Sequence, residues 1–410
     1  MPLAPDFLAS LTCPHPKDLF GRLLNAPRDP GKAVWAWKAE IAPADLYCYL
    51  TARFGRPNGP QNFFRNDNSD NLIHWDWWLD FPSGHLHILG MNFRTEVWVA
   101  GDIAVTDADR IALAEQIKED FSNHGRKMGE VRHGLEKWTE FVNPYRRLRK
   151  AVEKLQVDLA GLDLQPETQK IEDPSTVEEV ESGSWSEVLG RYTKGLGLCF
   201  GIRSMLPVMA EAFVNFLLFV LMRPDMKGDE RLRENALRQP IDIRVKSLHM
   251  TCVGFAKPVD YASPECKAYQ SLVNERNDLL HGNVVLEKLR FNEVFFAGKV
   301  PVFKTYRSMW ERTVGVEINA VGLHRLAGEI QTVDSFIEYV TSCLHPKVKA
   351  QIEFIADMHD LGWNEKTGKV GVLFPDRLVD MHAFKRRDAG SQTTEANKSD
   401  DVIGQAGDDA

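Results

Sequence analysis

The first 157 residues carry the hydrophobic patterns of a mixed α+β domain. A strand is predicted over Lys32–Ile41 and a short helix over Pro43–Gly55, where Pro43 lies near the start and Gly55 follows the end. The stretch 71–102 is rich in aromatic and β-branched residues, with Pro-Ser-Gly at positions 82–84. This pattern predicts an antiparallel hairpin that continues into a third strand.

Two helical patterns follow this sheet. The segment 106–125 begins with a Thr-Asp capping signal and has apolar residues at helical spacing. A second helical run covers 131–155, which Pro144 is able to interrupt. The residues up to 157 are therefore expected to form an α+β domain with a sensing or regulatory role.

The composition changes at residues 158–184. This stretch is acidic, contains two prolines and has almost no aromatic residues. Such a sequence cannot bury enough apolar surface to fold alone, so it is predicted to be an interdomain linker.

The remainder of the chain is predicted to be mainly helical. Helices are expected over 185–200, 205–222 and 263–282, and helical spacing returns over 313–344. The charged stretch 223–246 is interpreted as a loop, and residues 291–303 as a hairpin that turns at Ala297-Gly298. The segment 346–385 is expected to be a small C-terminal appendage and 386–410 a disordered tail.

The net charge and the cysteine content argue against several classes of protein. The net charge of −8 does not suit a protein that coats nucleic acid non-specifically. The six cysteines form no CxxC pair, which favours a reducing, cytoplasmic environment over disulfides or zinc. No signal peptide is expected. The apolar stretch Met205–Met222 contains Pro207 and two polar residues, which indicates a buried core helix and no membrane association.

Several sequence signatures of enzymes are missing from the chain. It contains no Walker A motif, no dinucleotide-binding glycine pattern, no HExxH or zinc-finger spacing and no GxSxG. We therefore expect no cofactor and no metal site.

The stretch 274–283, "NERNDLLHGN", has the most unusual polar pattern. On a helix, Asn274, Asn277 and His281 share one face. Asp278 borders this face, and the side chain of Arg276 is long enough to reach over it. Three leucines are expected to be buried on the other side: Leu272, Leu279 and Leu280.

A second polar pair lies in the apolar helix. Glu211 and Asn215 are four residues apart and form the polar notch of that helix. Because unpaired buried polar groups are costly, the notch is expected to face the polar stripe of residues 274–281. In the charged stretch, Arg238, Arg244 and Lys246 are weaker candidates for binding a phosphate backbone.

Histidine and arginine together suit RNA cleavage by the neighbouring 2′-hydroxyl without a metal ion. His281 can act as general acid or base, and Arg276 can bind phosphate oxygens with its fixed fork of donors. Each chain supplies one histidine, whereas the reaction needs a base and an acid. A two-fold dimer would bring two copies to one cleft.

The segment Arg276–His281, "RNDLLH", resembles the Arg-x4–6-His motif of HEPN domains, with a polar residue, Asn277, directly after the arginine. The apolar helix with Glu211 and Asn215 is similar to the first long HEPN helix. The resemblance covers roughly 185–290 and implies a HEPN-like helical domain over 185–345. It also implies a dimeric, metal-independent endoribonuclease, often a toxin or an anti-phage defence effector. The long charged insert between the two helices departs from the family pattern.

Two other interpretations remain open. Some HEPN proteins are inactive, so the same residues could be structural contacts of a binding or dimerisation module. The protein could also be a toxin that a separate antitoxin holds inactive. In the catalytic interpretation, His281, Arg276 and Asn277 act on the RNA, while Glu211, Asn215, Asp278 and Asn274 support them.

Overall fold

The chain divides into two units between Trp138 and Thr139. In the computed structural model, residues 4, 6–19, 33–64, 72–166, 184–283 and 286–374 are described. The first unit comprises 1–138 and 373–410, and the second comprises 139–372. The expected tail and most of the expected linker lie outside the described residues.

The first unit is built on a four-stranded antiparallel sheet. Its strands lie in the order β1-β4-β3-β2. Their bounds are β1 Ala33–Trp37, β2 Ile73–Phe81, β3 Gly84–Met91 and β4 Thr95–Gly101. The helices are α1 Phe7–Ser10, α2 Pro43–Phe54, α3 Gln61–Phe64 and α4 Asp107–Gly134. The predicted strand, helix and three-stranded meander are confirmed in this unit.

One face of this sheet forms the core of the first unit. Trp77 and Leu79 of β2, with Ile88 and Val97 of the neighbouring strands, point to this face and are almost fully buried. They pack with the apolar residues of α2 and α4. The alternation of buried and open positions explains why these strands could be predicted from their sequence.

The segment that joins the two units differs from the prediction. Helix α4 begins with a capping box between Thr106 and Asp109, as its sequence indicates, but it continues to Gly134. The predicted helical run over 131–155 is wrong over 135–142, because α4 ends at Gly134 and residues 139–142 form a strand, β5 (Thr139–Val142). Helix α5 (Pro144–Ala160) then begins with Pro144 in its first turn, and the side chain of Asn143 caps it.

The second unit is mainly helical. A helix of 38 residues, α6 (Ser184–Leu221), replaces the two helices predicted over 185–200 and 205–222. It continues through Pro207, whose ring removes one helical hydrogen bond. The hydroxyl of Tyr269 donates to the carbonyl of Pro207 at 3.2 Å. The apolar residues of α6 form the centre of the main core of this unit.

The expectation of a loop over 223–246 is wrong. Three helices occupy this region: α7 Pro224–Gly228, α8 Glu230–Arg238 and α9 Ile241–Thr251. These helices were not predicted because the stretch is rich in charged residues and has few buried ones. Helix α8 has no buried residue, and α9 buries only Arg244, Val245 and Leu248. An exposed helix without a clear apolar face reads as a loop in a single sequence.

The remaining elements of the second unit begin with α10, the motif helix, which carries residues 274–281. They are α10 Pro264–His281, α11 Leu286–Leu289, β6 Val294–Ala297, β7 Val300–Phe303, α12 Val316–Val321, α13 Leu326–Ser342, α14 Pro346–Ala356, β8 Asp360–Asn364 and β9 Lys369–Val372. A π-helical turn, Glu311–Gly315, precedes α12. The hairpin predicted over 291–303 appears as β6–β7, and β8 and β9 form a second hairpin. The mixed fold, with an N-terminal antiparallel sheet followed by helices, is as predicted.

The unit boundary lies before the expected domain end at 157. Strand β5 pairs with β8, and α5 packs against α6, so both belong to the second unit. The segment expected as an appendage from 346 also joins this unit up to Val372, and Leu361 of β8 is fully buried in its core. Residues 158–160 of the expected linker complete α5.

Helix α6 is long and apolar enough to cross a membrane by length and composition alone. Of its most apolar window, 61% is buried inside the protein. This burial is what a core helix of a soluble protein has.

Candidate functional site

The helix that carries the motif has the ends that its sequence predicts. The Ser263 hydroxyl accepts a hydrogen bond from the backbone N–H of Cys266 at 3.3 Å, and Pro264 occupies the first turn. Gly282 ends the helix in the left-handed conformation, with φ of 63°. This conformation favours glycine, so α10 ends directly after His281.

Arg276 lies on the inner face of α10. Tyr269, Leu272 and Val273 are buried on this face, and Arg276 follows Leu272 and Val273 at helical spacing. Arg276 is half-buried, and its Nε is buried without a hydrogen-bond partner in the described part of the chain. A buried donor without an acceptor is costly, so it invites a ligand or a second chain as its partner.

Asn274, Asn277 and His281 share one face of α10, as predicted, but this face points away from the core and not toward the notch of α6, where it was expected. Asn274 accepts a hydrogen bond from Gln270 at 3.2 Å. His281 is exposed and Asn277 is half-exposed, and neither side chain bonds to any of the described residues. The side chain of Arg276 was expected to reach over this stripe. Its Nε is instead buried on the inner side of α10.

The leucines of the motif are less buried than expected. Leu272 is buried, and Leu279 is half-buried. Leu280 is 46% exposed, although its sequence position suggested burial. The reason is its place in the last turn, where the helix extends past the core residues.

The notch of α6 is filled by a residue of α9, not by the polar stripe of α10. Arg244 donates to the Glu211 carboxylate and to the Asn215 side-chain oxygen, and its Nε donates to the carbonyl of Gln239 at 2.8 Å. Arg244 is 7% exposed. Its guanidinium is therefore held inside the unit, which corrects the expectation that it binds a phosphate backbone.

The inner side of α10 nevertheless lies close to this notch. Burial raises the pKa of the Tyr269 hydroxyl, and the carboxylate of Glu211 raises it further. The charges of Arg244 and Arg276 act in the opposite direction. Glu211, Arg244 and Arg276 are therefore near enough to the Tyr269 hydroxyl for their charges to act on it.

The two other weak candidates are exposed and form local ion pairs. Arg238 lies 3.0 Å from Glu234, and Lys246 lies 3.1 Å from Asp242. The Lys246 ammonium also lies 4.7 Å from the centre of the Tyr261 ring. Both side chains remain accessible, so they stay candidates for contact with RNA.

Sequence reasoning missed a buried ion network beside the motif. Arg203 of α6 is 4% exposed, and its guanidinium binds both oxygens of Glu329 in α13, with Nε at 2.7 Å from Oε2. Glu275 of α10 accepts from Arg203 at 3.2 Å and from Arg325 at 2.7 Å. An arginine inside the apolar stretch 198–222 was the available signal, because such a charge requires a partner.

A small cavity adjoins this network. It has a volume of about 70 Å³ and is bounded by Glu275, Asp278, Leu279 and residues of α12 and its neighbours. The Asp278 carboxylate accepts a hydrogen bond from the Asn283 amide at 3.0 Å, which ties the residue after the helix end to the last turn. Asp278 thus stabilises the end of α10 that carries His281.

The first unit contains a buried pair that the sequence did not indicate. His87 of β3 and Asp76 of β2 lie 2.8 Å apart, and both are buried. The Asp76 carboxylate also accepts hydrogen bonds from the backbone N–H groups of Gln61 and Asn62 at 3.2 Å. These contacts fix α3 to the sheet and account for the polar residues without a reaction.

The motif helix therefore has two different sides. In the part of the chain that the structure describes, the inner side holds paired charges and one arginine whose Nε has no hydrogen-bond partner, and the outer side offers an exposed imidazole. Comparison of the chain with protein-family models, with curated proteins and with solved structures gives no match. The function must therefore be argued from the residues of this site.

Proposed function

We propose that the protein is a metal-independent endoribonuclease of HEPN type, with its active site on α10. The observation that supports this most is the state of His281. It is exposed in the last turn and unbonded to described residues, five positions after an arginine whose Nε has no acceptor. The nearby charged residues Glu275, Arg203 and Glu329 all have partners.

The proposed reaction uses the 2′-hydroxyl of the RNA as the nucleophile. His281 of one copy takes the hydroxyl proton, the 2′-oxygen attacks phosphorus, and the bond to the 5′-oxygen breaks. His281 of a second copy donates a proton to the leaving 5′-oxygen. The products are a 2′,3′-cyclic phosphate and a 5′-hydroxyl.

Arg276 stabilises the additional charge on the phosphate oxygens during this reaction. Guanidinium groups bind such oxygens in pairs and stay protonated. In the monomer, the inward Nε and the outward imidazole lie on different sides of α10. Arg276 as a whole is half-buried, and we propose a composite site to which the Arg276 and His281 side chains of two copies contribute. Asn277 orients the imidazole or the phosphate.

The supporting residues act at a distance from the RNA. Glu211 and Asn215 hold Arg244, whose charge acts on the Tyr269 hydroxyl of α10. Asp278 stabilises the end of α10 through Asn283, and Asn274 accepts a hydrogen bond from Gln270 within the helix. Lys246 and Arg238 are accessible cations for the RNA backbone.

The proposal includes a cellular setting. Six free cysteines, five of them buried, suit a reducing cytoplasm. We propose that the protein acts as a toxin or defence effector, with an antitoxin or a defence partner. The N-terminal unit would then sense the trigger.

The test is cleavage of mixed RNA in the presence of EDTA. Wild type is expected to produce fragments with 2′,3′-cyclic phosphate ends, and His281→Ala and Arg276→Ala are each expected to lose about 10²–10⁴-fold in rate. Lys267→Ala removes an exposed charge from the same helix and is the matched control. Equal residual cleavage by all four proteins would contradict the proposal.

The second candidate function is a non-catalytic dimerisation or binding module. The full pairing of the Arg244 guanidinium inside the unit favours it, because such pairing fits a structural contact. In that case wild type cleaves no RNA, and Arg276→Ala weakens self-association while His281→Ala leaves it unchanged.

A further inference from the structure

The hairpin β6–β7 is the most apolar exposed feature of the second unit. In the described residues it forms a sheet of two strands alone. Phe295 and Phe296 are 59% and 66% exposed, and Val300 and Val302 are 63% and 49% exposed. An isolated hairpin is marginally stable in water, so both its exposure and its apolar surface point to an interface.

One hydrogen bond next to the strands shows which opposed residues of the hairpin are hydrogen-bonded to each other and which are not. The N–H of Lys304 donates to the carbonyl of Glu293 at 3.2 Å. Opposite residues in an antiparallel pair alternate between bonded and non-bonded. The residues that pair across the hairpin are Val294 with Phe303, Phe295 with Val302, Phe296 with Pro301, and Ala297 with Val300. The backbone groups of Val294 and Phe296 therefore point outward from β6, and those of Pro301 and Phe303 point outward from β7.

The two outer edges of the hairpin differ. Pro301 has no N–H, so the edge of β7 lacks a donor at an outward position and resists a further strand. Strand β6, with the sequence Val-Phe-Phe-Ala, has no proline and no charge along its outer edge. It is an unprotected, strongly β-forming edge.

We propose that β6 pairs antiparallel with β6 of a second copy about a two-fold axis, forming a four-stranded sheet across the dimer. The register is the one in which the outward-pointing backbone groups of Val294 and Phe296 bond to those of the second copy. Val294 lies opposite Phe296 of the second copy, and Phe295 lies on the axis opposite its own counterpart. A strand paired with itself in this way is self-complementary, which a two-fold interface requires.

The hairpin and the residues beside it expose a large apolar surface. The exposed fractions of Phe291, Phe295, Phe296 and Tyr306 amount to roughly 500 Å², taking about 200 Å² for each whole side chain. Phe295 and Phe296 point to opposite faces of β6, so pairing of the edges covers part of this surface and adds backbone hydrogen bonds to it. The inference rests on the proposed function only for the use of the dimer, which would hold two α10 helices in equivalent positions.

Cysteine cross-linking tests the register. Directly opposed residues of a non-bonded antiparallel pair have Cα atoms about 4.5 Å apart, within the range of a disulfide. Phe295→Cys is therefore expected to form a disulfide-linked dimer under mild oxidation. Phe296→Cys points to the opposite face and meets Val294 of the second copy, so it should not. Wild type under the same conditions controls for the native cysteines.

The state of association provides a second test that needs no cross-link. Phe296→Pro removes an outward donor, whereas Phe296→Val keeps the donor and a strand-forming side chain. Light scattering should find wild type and Phe296→Val dimeric and Phe296→Pro monomeric, all with the same far-UV circular dichroism.

Several outcomes would overturn the inference. They are a monomeric wild type, a dimer that Phe296→Pro leaves intact, or Phe295→Cys and Phe296→Cys cross-linking equally. Its failure is distinguishable from that of the proposed function. RNA cleavage without the Phe295→Cys cross-link would leave the nuclease standing, and cross-linking without cleavage would leave the dimer standing.

Discussion

The two sides of α10 carry polar groups in opposite states. On the inner side, Glu275 bridges Arg203 and Arg325, and Arg203 is also bound by both oxygens of Glu329. On the outer side, His281 is exposed and bonds to none of the residues that the structure describes. The sequence places Glu275 and His281 six positions apart, yet their surroundings differ completely.

The paired charges of the inner side stabilise the fold, whereas the exposed side chain of His281 is available to a substrate. A buried ion pair must be satisfied by its neighbours, and removal of one partner leaves an uncompensated charge. An exposed side chain without a partner contributes little to stability and is free to meet a substrate. We therefore expect substitutions in the ion network of Arg203, Glu275 and Glu329 to change stability and substitutions at His281 to change activity alone.

The largest effect is expected for Glu329→Ala. It leaves the buried Arg203 guanidinium without its main partner and should lower the free energy of unfolding by about 3–5 kcal/mol in urea titrations. The matched control is Asp158→Ala, which removes the exposed Lys154–Asp158 pair and should cost less than about 1 kcal/mol. Equal losses would show that Arg203 is not held by Glu329.

A smaller effect is expected at Gly322, where the backbone approaches both arginines. Its φ is 71°, and a Cβ there would lie 2.6 Å from the Arg203 Nη1 and 2.7 Å from the Arg325 Nη2. Gly322→Ala should lower the free energy of unfolding by about 1–3 kcal/mol. Gly197→Ala, in the exposed interior of α6 with open space around it, should instead stabilise by about 0.5–1 kcal/mol.

The cap of α10 should contribute less. Ser263→Ala removes the acceptor for the Cys266 N–H and is expected to cost about 1 kcal/mol. Ser271→Ala, at an exposed position within the same helix, should leave the free energy of unfolding within about 0.5 kcal/mol of wild type. A loss as large for Ser271→Ala would mean that the cap is not the cause.

The smallest change in stability is expected for His281→Ala. Because the side chain is exposed and bonds to no described group, the free energy of unfolding should stay within about 0.5 kcal/mol of wild type. A loss above 2 kcal/mol would show that His281 is a structural residue and that the two sides of α10 do not differ in this respect.

Local signals explain what the sequence predicted well. The ends of α10 follow from Ser263, Pro264 and Gly282, and the meander of the first unit follows from alternating apolar residues around a Pro-Ser-Gly turn. Each signal acts within a few neighbouring residues. Such signals do not depend on the rest of the fold, so a single sequence contains them.

Tertiary partners explain what the sequence did not predict. Strand β5 forms because β8, far along the chain, pairs with it. Arg244 occupies the notch of Glu211 and Asn215 because α9, interpreted as a loop, folds onto α6. The Arg203–Glu329 pair likewise joins helices distant in sequence. The catalytic roles of His281, Arg276 and Asn277 stay predictions.

The most direct test of the central claim is the chemistry of the RNA ends. Wild type, His281→Ala and Lys267→Ala, each with confirmed folded circular dichroism, are incubated with RNA in EDTA, and the new 3′ ends are analysed. We predict 2′,3′-cyclic phosphates from wild type and Lys267→Ala, and a loss of about 10²–10⁴-fold for His281→Ala. Undiminished cleavage by His281→Ala, or no cleavage by wild type at any RNA concentration tested, would contradict the account.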